Sequence, residues 1–196
     1  MPTIALHLLA EPARRALELD AETAYRRLLP VAAPGDEARR ILSGLTPQTV
    51  LAHPVRSQAD AACVLSALWL WHDDLHRSHE ISQQIKTPSG SYWHAIMHRR
   101  EGDFWNSKYW LDRCTDHPAL PAIAAAAAER INAHRHADPR LMKLTLGQWD
   151  PAAFVDLVEA ATTAGEESIV PVLVELQRIE WQGLFAHCLT AAGSDQ

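Results

Sequence analysis

The sequence predicts an all-α protein: one helical-bundle-like domain spanning residues 1–196, with seven or eight helices. Three observations point there. Apolar residues recur at helical spacing through most of the 196 residues, and runs alternating with β-branched residues do not occur. Proline and glycine stand between the periodic segments rather than inside hairpins. The composition, 47% hydrophobic and 21% charged, is that of a globular chain large enough to bury a core.

The elements follow in order. Pro12 and Pro30 bracket a first helix over Ala13–Leu29. A short helix is expected at Asp36–Ser43, and Thr46-Pro47 opens another that leads to Ala52 before Pro54 breaks the pattern. Ser57 is a natural cap for a long helix reaching Ile85. Thr87-Pro88-Ser89-Gly90 is a turn, followed by a helix over Ser91–Glu101. Gly102–Ser107 reads as a loop and Lys108–Cys114 as one or two helical turns, ended by His117-Pro118. Pro121 starts an alanine-rich helix to His136, and Asp138-Pro139 closes it. Asp150-Pro151 begins a helix to Ala164, and a last helix covers Ser168–Ala191. The Ser57–Ile85 helix and the one after it form an antiparallel hairpin across their short turn.

That hairpin carries the chemistry. His72, His76 and His79 fall at i, i+4 and i+7, as do His94, His98 and Glu101. At about 100° per residue, each trio covers only roughly 60° of one helix face. On the first helix the histidines continue the apolar sector of Val64, Leu65, Leu68 and Trp69, so they point toward the core. Leaving a buried polar group unpaired costs on the order of 1–3 kcal/mol, so these rings need partners. A hairpin symmetric about Pro88-Ser89 sets Gln83 opposite His94, His79 opposite His98 and His76 opposite Glu101.

Imidazoles converging between helices hold a divalent ion such as Zn, Fe or Mn, bind a metal-free ligand, or form a satisfied polar network. The three readings stay open from sequence. HExxH and paired ExxH patterns are absent, so a metal would be mononuclear, held most simply by His79, His94 and His98. In an enzyme, His94, Glu101 and Asp103 are the proton-transfer candidates. Arg99 or Arg100 would clamp an anionic group, with Asn106, Gln83 and Trp93 as further ligand contacts. Glu175 and Glu180 are more distant sources of a carboxylate. His7, His53, His117, His134, His136 and His187 read as surface or capping residues. Cys63, Cys114 and Cys188 lie outside any CxxC pattern and read as buried thiols.

His72-Asp73 resembles the dyad of all-α metal-dependent phosphohydrolases, with His53 a candidate upstream ligand, although the match is two letters long. A longer likeness is carried by TPSGSYWHAIMHRREGDFWNSKYW, DDLHRSHEISQ and LQRIEWQGLF. These segments resemble a family of helical proteins of bacteria and fungi for which no activity is established. The resemblance marks Ser78–Trp110 as the distinctive region and implies nothing about substrate or cofactor.

The net charge of −6 argues against a general nucleic-acid binder. The longest apolar run is too short to cross a membrane, and the N-terminus lacks the basic start of a secretory signal. The expectation is a cytoplasmic protein acting on a small polar or anionic molecule. A non-catalytic binding protein and a structural module are the alternatives, and a homodimer is allowed.

Overall fold

The computed structural model describes residues 4–19, 21–30, 35–134 and 138–193. Among them are ten α-helices and no strand. The helices are α1 (Glu11–Glu18), α2 (Asp36–Ser43), α3 (Gln58–Trp71), α4 (Leu75–Ser82), α5 (Pro88–Glu101), α6 (Phe104–Leu111), α7 (Leu120–Asn132), α8 (Pro139–Lys143), α9 (Pro151–Thr163) and α10 (Val170–Gly193). Buried apolar side chains from Leu9 to Ala192 form one cluster. Central to it are α3 and α5, with α10 packed on α3 and α4 and α6 flanking α5.

Several starts match their sequence signals. Ser57 accepts the Asp60 N–H and Asp150 accepts the Ala153 N–H, each satisfying a donor that a helix start leaves free. Other expectations need correction. The first helix stops at Glu18, and Tyr25 turns the chain with φ 58°. Thr46–Thr49 is a hydrogen-bonded turn rather than a helix. Thr87 caps α5 and Pro88 occupies its first turn, so that helix begins three residues before Ser91. The expected end of the alanine-rich helix, His136, lies outside the described residues.

The largest correction concerns the long helix, which breaks after Trp71. Asp73 takes the left-handed conformation with φ 64°, its neighbour's Asp74 N–H returns to Trp69 O, and the Asp74 side chain caps α4 by accepting the Arg77 N–H. The same device ends α5. Gly102 has φ 90°, the Asp103 N–H returns to His98 O, and the Asp103 side chain caps α6 by accepting the Asn106 N–H. Each corner launches an eight-residue helix. The expected loop at Gly102–Ser107 is therefore mostly α6, which starts four residues before the helical turns expected from Lys108, and α4 and the short α8 are the helices beyond those expected.

Arg100 holds the first corner. Its guanidinium donates to Leu70 O at 3.0 Å and Arg27 O at 3.1 Å. It also lies 2.7 Å from Asp73 Oδ1, at an angle that makes an ion pair rather than a hydrogen bond. Its Cζ is 3.8 Å from the Tyr25 ring centre. Among the described residues, both left-handed non-glycine positions, Tyr25 and Asp73, thus rest on one buried cation. Arg99 points about 100° away and pairs with Glu180 of α10, both side chains being fully buried. The Glu180 Oε1 atom also accepts Tyr92 Oη–H and Trp149 Nε1–H, each at 3.0 Å.

Removing one partner of such a pair leaves an uncompensated charge in the core. Arg99→Met should lower unfolding stability in urea by about 3–5 kcal/mol. A loss under about 1 kcal/mol would contradict the role given to this pair.

Candidate functional site

Helix α5 is buried from Ser89 to Arg100 on every face, so both of its histidines are enclosed. Residues four apart lie one turn above another, which sets His94 and His98 edge-to-face with ring centres 4.6 Å apart. The corner at Asp73-Asp74 turns α4 so that His79 meets both, at 4.8 Å from His94 and 5.5 Å from His98. One ligand-capable nitrogen from each of the three falls within 4.8 Å of the others.

The outer nitrogens are held. His94 Nδ1 lies 2.9 Å from Ser82 Oγ, whose hydroxyl donates to His79 O. With that hydroxyl proton on His79 O, His94 carries Nδ1–H and keeps its lone pair on Nε2; with the proton turned to Nδ1 instead, His94 Nε2–H donates to His98 Nε2. His98 Nδ1 lies 3.2 Å from Glu101 Oε2. An ionised carboxylate only accepts, so His98 carries its proton on Nδ1 and its lone pair on Nε2. The two Nε2 atoms stand 3.1 Å apart. In the first of the His94 states, two lone pairs at that distance repel unless a cation or a donor lies between them. Asn106 of α6 brings Nδ2 to 3.1 Å from His98 Nε2, which supplies one donor and leaves His94 Nε2.

Burial, then the like charges of His98, His79 and Lys86, push His94 down to about 3. Burial also lowers His98, with Glu101 pulling the other way. Neutral rings with Nδ1–H fixed by an outer partner are the form in which histidine ligates a metal. Trp110 of α6 closes one side, its ring edge-on to His94 at 4.5 Å.

Other residues singled out by sequence lie elsewhere. His72 turns away to Ala16 O at 2.7 Å, and His53 is exposed, so the dyad with Asp73 does not assemble. The break shifts the hairpin register: Ser82 rather than Gln83 meets His94, and His76 is exposed beside Glu80 at 3.3 Å instead of facing Glu101. Gln83 ends α4, where its carbonyl accepts Lys86 Nζ. Arg99 and Arg100 are engaged in the core contacts described above, neither with Glu101, Asp103 or Asp112. Trp93 faces α10, donating Nε1–H to Cys188 Sγ at 3.4 Å. Asp103 caps α6, and Glu175 pairs with Arg130 and His134. Trp110 is one of the tryptophans that the sequence concentrates around the hairpin as candidate pocket walls. Ser82 enters only with the structure, its i, i+3 spacing from His79 being the one sequence hint of a shared face.

Among the remaining histidines, His117 is buried rather than superficial. Its Nδ1 accepts the Ala119 N–H just before α7, and its Nε2 lies 3.0 Å from Ser89 Oγ. Burial, and then His187, push it down to about 4. All three cysteines are free and buried.

Compared with protein families, with curated proteins and with solved structures, the chain matches none. The chemistry of the site is read from its own geometry.

Because His94 and His117 ionise less readily when folded, the unfolded chain binds more protons below about pH 6.5. Stability of the metal-free protein should be level above that pH and fall on acidification, by at most about 1.4 kcal/mol per pH unit per ring. Urea unfolding between pH 7 and pH 5 measures this, and His117→Gln should lessen the slope. Stability that rises on acidification would contradict the assigned ring states.

Proposed function

We propose that the chain binds one divalent transition-metal ion, zinc by ligand type, through His79, His94 and His98, and acts there on a small polar molecule. One observation carries the reading: two imidazoles bring their Nε2 atoms within 3.1 Å of each other while Ser82 and Glu101 hold their Nδ1 atoms. Ligands of tetrahedral zinc at about 2.0–2.1 Å stand roughly 3.3 Å apart, close to that separation. His79, half-buried on α4, completes the set by a rotation of its side chain.

Three neutral ligands leave a fourth position, the arrangement of catalytic rather than closed structural zinc. A metal there supplies Lewis acidity and a water that ionises near neutral pH. Glu101 serves in this reading as the carboxylate that orients His98, not as the free base expected from its position in sequence. The Asn106 amide borders the same space and would hydrogen-bond a bound molecule. The single apolar cluster supports reading the whole chain as one domain built around this site.

Elemental analysis after zinc loading and desalting should find about one ion per chain. His94→Leu and His98→Leu, apolar replacements that keep the volume, should abolish uptake while leaving the helical circular dichroism intact. Glu101→Gln should weaken zinc affinity by about 10–100-fold, as loss of an outer partner does. Wild-type protein that retains no zinc, nickel, cobalt or manganese would overturn the proposal and favour a buried hydrogen-bond network.

A further inference from the structure

Trp110 has a second neighbour besides His94. With Lys86, Thr87, Ser91 and Arg113 it walls a cleft of about 360 Å³ at the junction of α4, α5 and α6. Among the described residues, the only ionisable side chains of its walls, Lys86 and Arg113, are cationic, in a chain whose net charge is −6. Several surface cations elsewhere have acidic partners, such as Arg15 with Glu37, Arg77 with Glu80 and Lys108 with Asp156, while Arg14, Arg40 and Lys143 stand on the surface without one among the described residues. Among the described residues Lys86 and Arg113 have none either. Lys86 Nζ donates to Gln83 O at 3.1 Å, and Arg113 donates to Tyr109 O at 2.7 Å and Tyr109 Oη at 2.8 Å.

Arg113 is nonetheless held in place. Its Cζ sits 4.1 Å over the Tyr109 ring and 4.7 Å over the Trp110 ring. Stacking fixes the plane of a guanidinium without neutralising it, which lowers the entropy lost when it grips an anion. Lys86 adds a point charge, and Ser91 and Thr87 add hydroxyls to the same concavity. Two like charges lining one cleft without a counter-ion are stabilised by an oxyanion that enters it.

We infer that this cleft receives the oxyanion group, a carboxylate or a phosphate, of the small molecule on which the three-histidine centre acts. The link to catalysis rests on the metal reading above; binding of the anion by the cleft does not. Lys86 and Arg113 thereby take the part that sequence assigned to Arg99 and Arg100. Trp110 joins the two halves, touching His94 on one side and the guanidinium on the other.

The test titrates inorganic phosphate, and separately acetate, into the protein as purified, following the Ser91 amide and the Trp110 indole N–H by nuclear magnetic resonance. Saturable shifts at both groups are expected with at least one of the anions, the tighter one naming the oxyanion. The double variant Lys86→Gln/Arg113→Gln should bind that anion at least about tenfold more weakly, as charged hydrogen bonds are lost. Its zinc uptake should equal that of the wild type. Absent or unsaturable shifts with both anions, or equal affinity in the variant, would overturn the inference. A chain that binds the anion in the cleft but takes up no metal would overturn the catalytic reading alone.

Discussion

Helix α5 is enclosed on every side although it carries two arginines, two histidines and two serines, and the rest of the architecture answers to that burial. Each polar group has to be matched inside the protein, since an unmatched one costs on the order of 1–3 kcal/mol and an unmatched charge more. Arg99 is met by Glu180, which Tyr92 and Trp149 complete. Arg100 is met by Asp73 and two carbonyls, and Ser89 by His117. His94 and His98 are held at Nδ1 by Ser82 and Glu101, and His98 Nε2 also has the Asn106 amide at 3.1 Å. The two Nε2 atoms face one another, and that close approach is what gives the site its chemical character.

The supporting frame comes from two equivalent corners. At Asp73-Asp74 and at Gly102-Asp103, a left-handed residue ends one buried helix and an aspartate caps the short helix that follows. The short helices lie on either side of α5 and deliver His79 and Asn106 to its histidines. Gly90 lets the start of α5 approach the end of α4: a Cβ there would come within 2.5 Å of Ile85. Arg100, buried among Tyr25, Asp73 and Leu70, couples the first corner to α5 itself. The residue therefore acts on the site by fixing the direction of α4, without touching a histidine.

Helical character was legible from periodicity, and the convergence of His79, His94 and His98 from repeated i, i+4 spacing across a short turn. The corners were not. A continuous apolar stripe through Trp69 and Leu75 hid the capping aspartate at Asp74, because burial on both sides of the break preserves the periodicity of a single helix. Asp103 was hidden differently: Gly102 reads as the end of a helix, but nothing local says that another starts one residue later. The fates of Arg99 and Arg100 depend on Glu180 and Asp73, 81 and 27 positions away in sequence, so local charge patterning could not assign them. Lys86 and Arg113 were passed over because each is unremarkable alone; only the fold brings them to one cleft.

The central claim is that these three imidazoles act together as ligands of one ion. X-ray absorption at the zinc edge of the loaded protein tests it most directly. Three nitrogen neighbours at about 2.0–2.1 Å, with the outer-shell scattering of imidazole rings and one further light atom, are expected. A shell of oxygen atoms without imidazole scattering would show that the metal sits elsewhere and would contradict the claim.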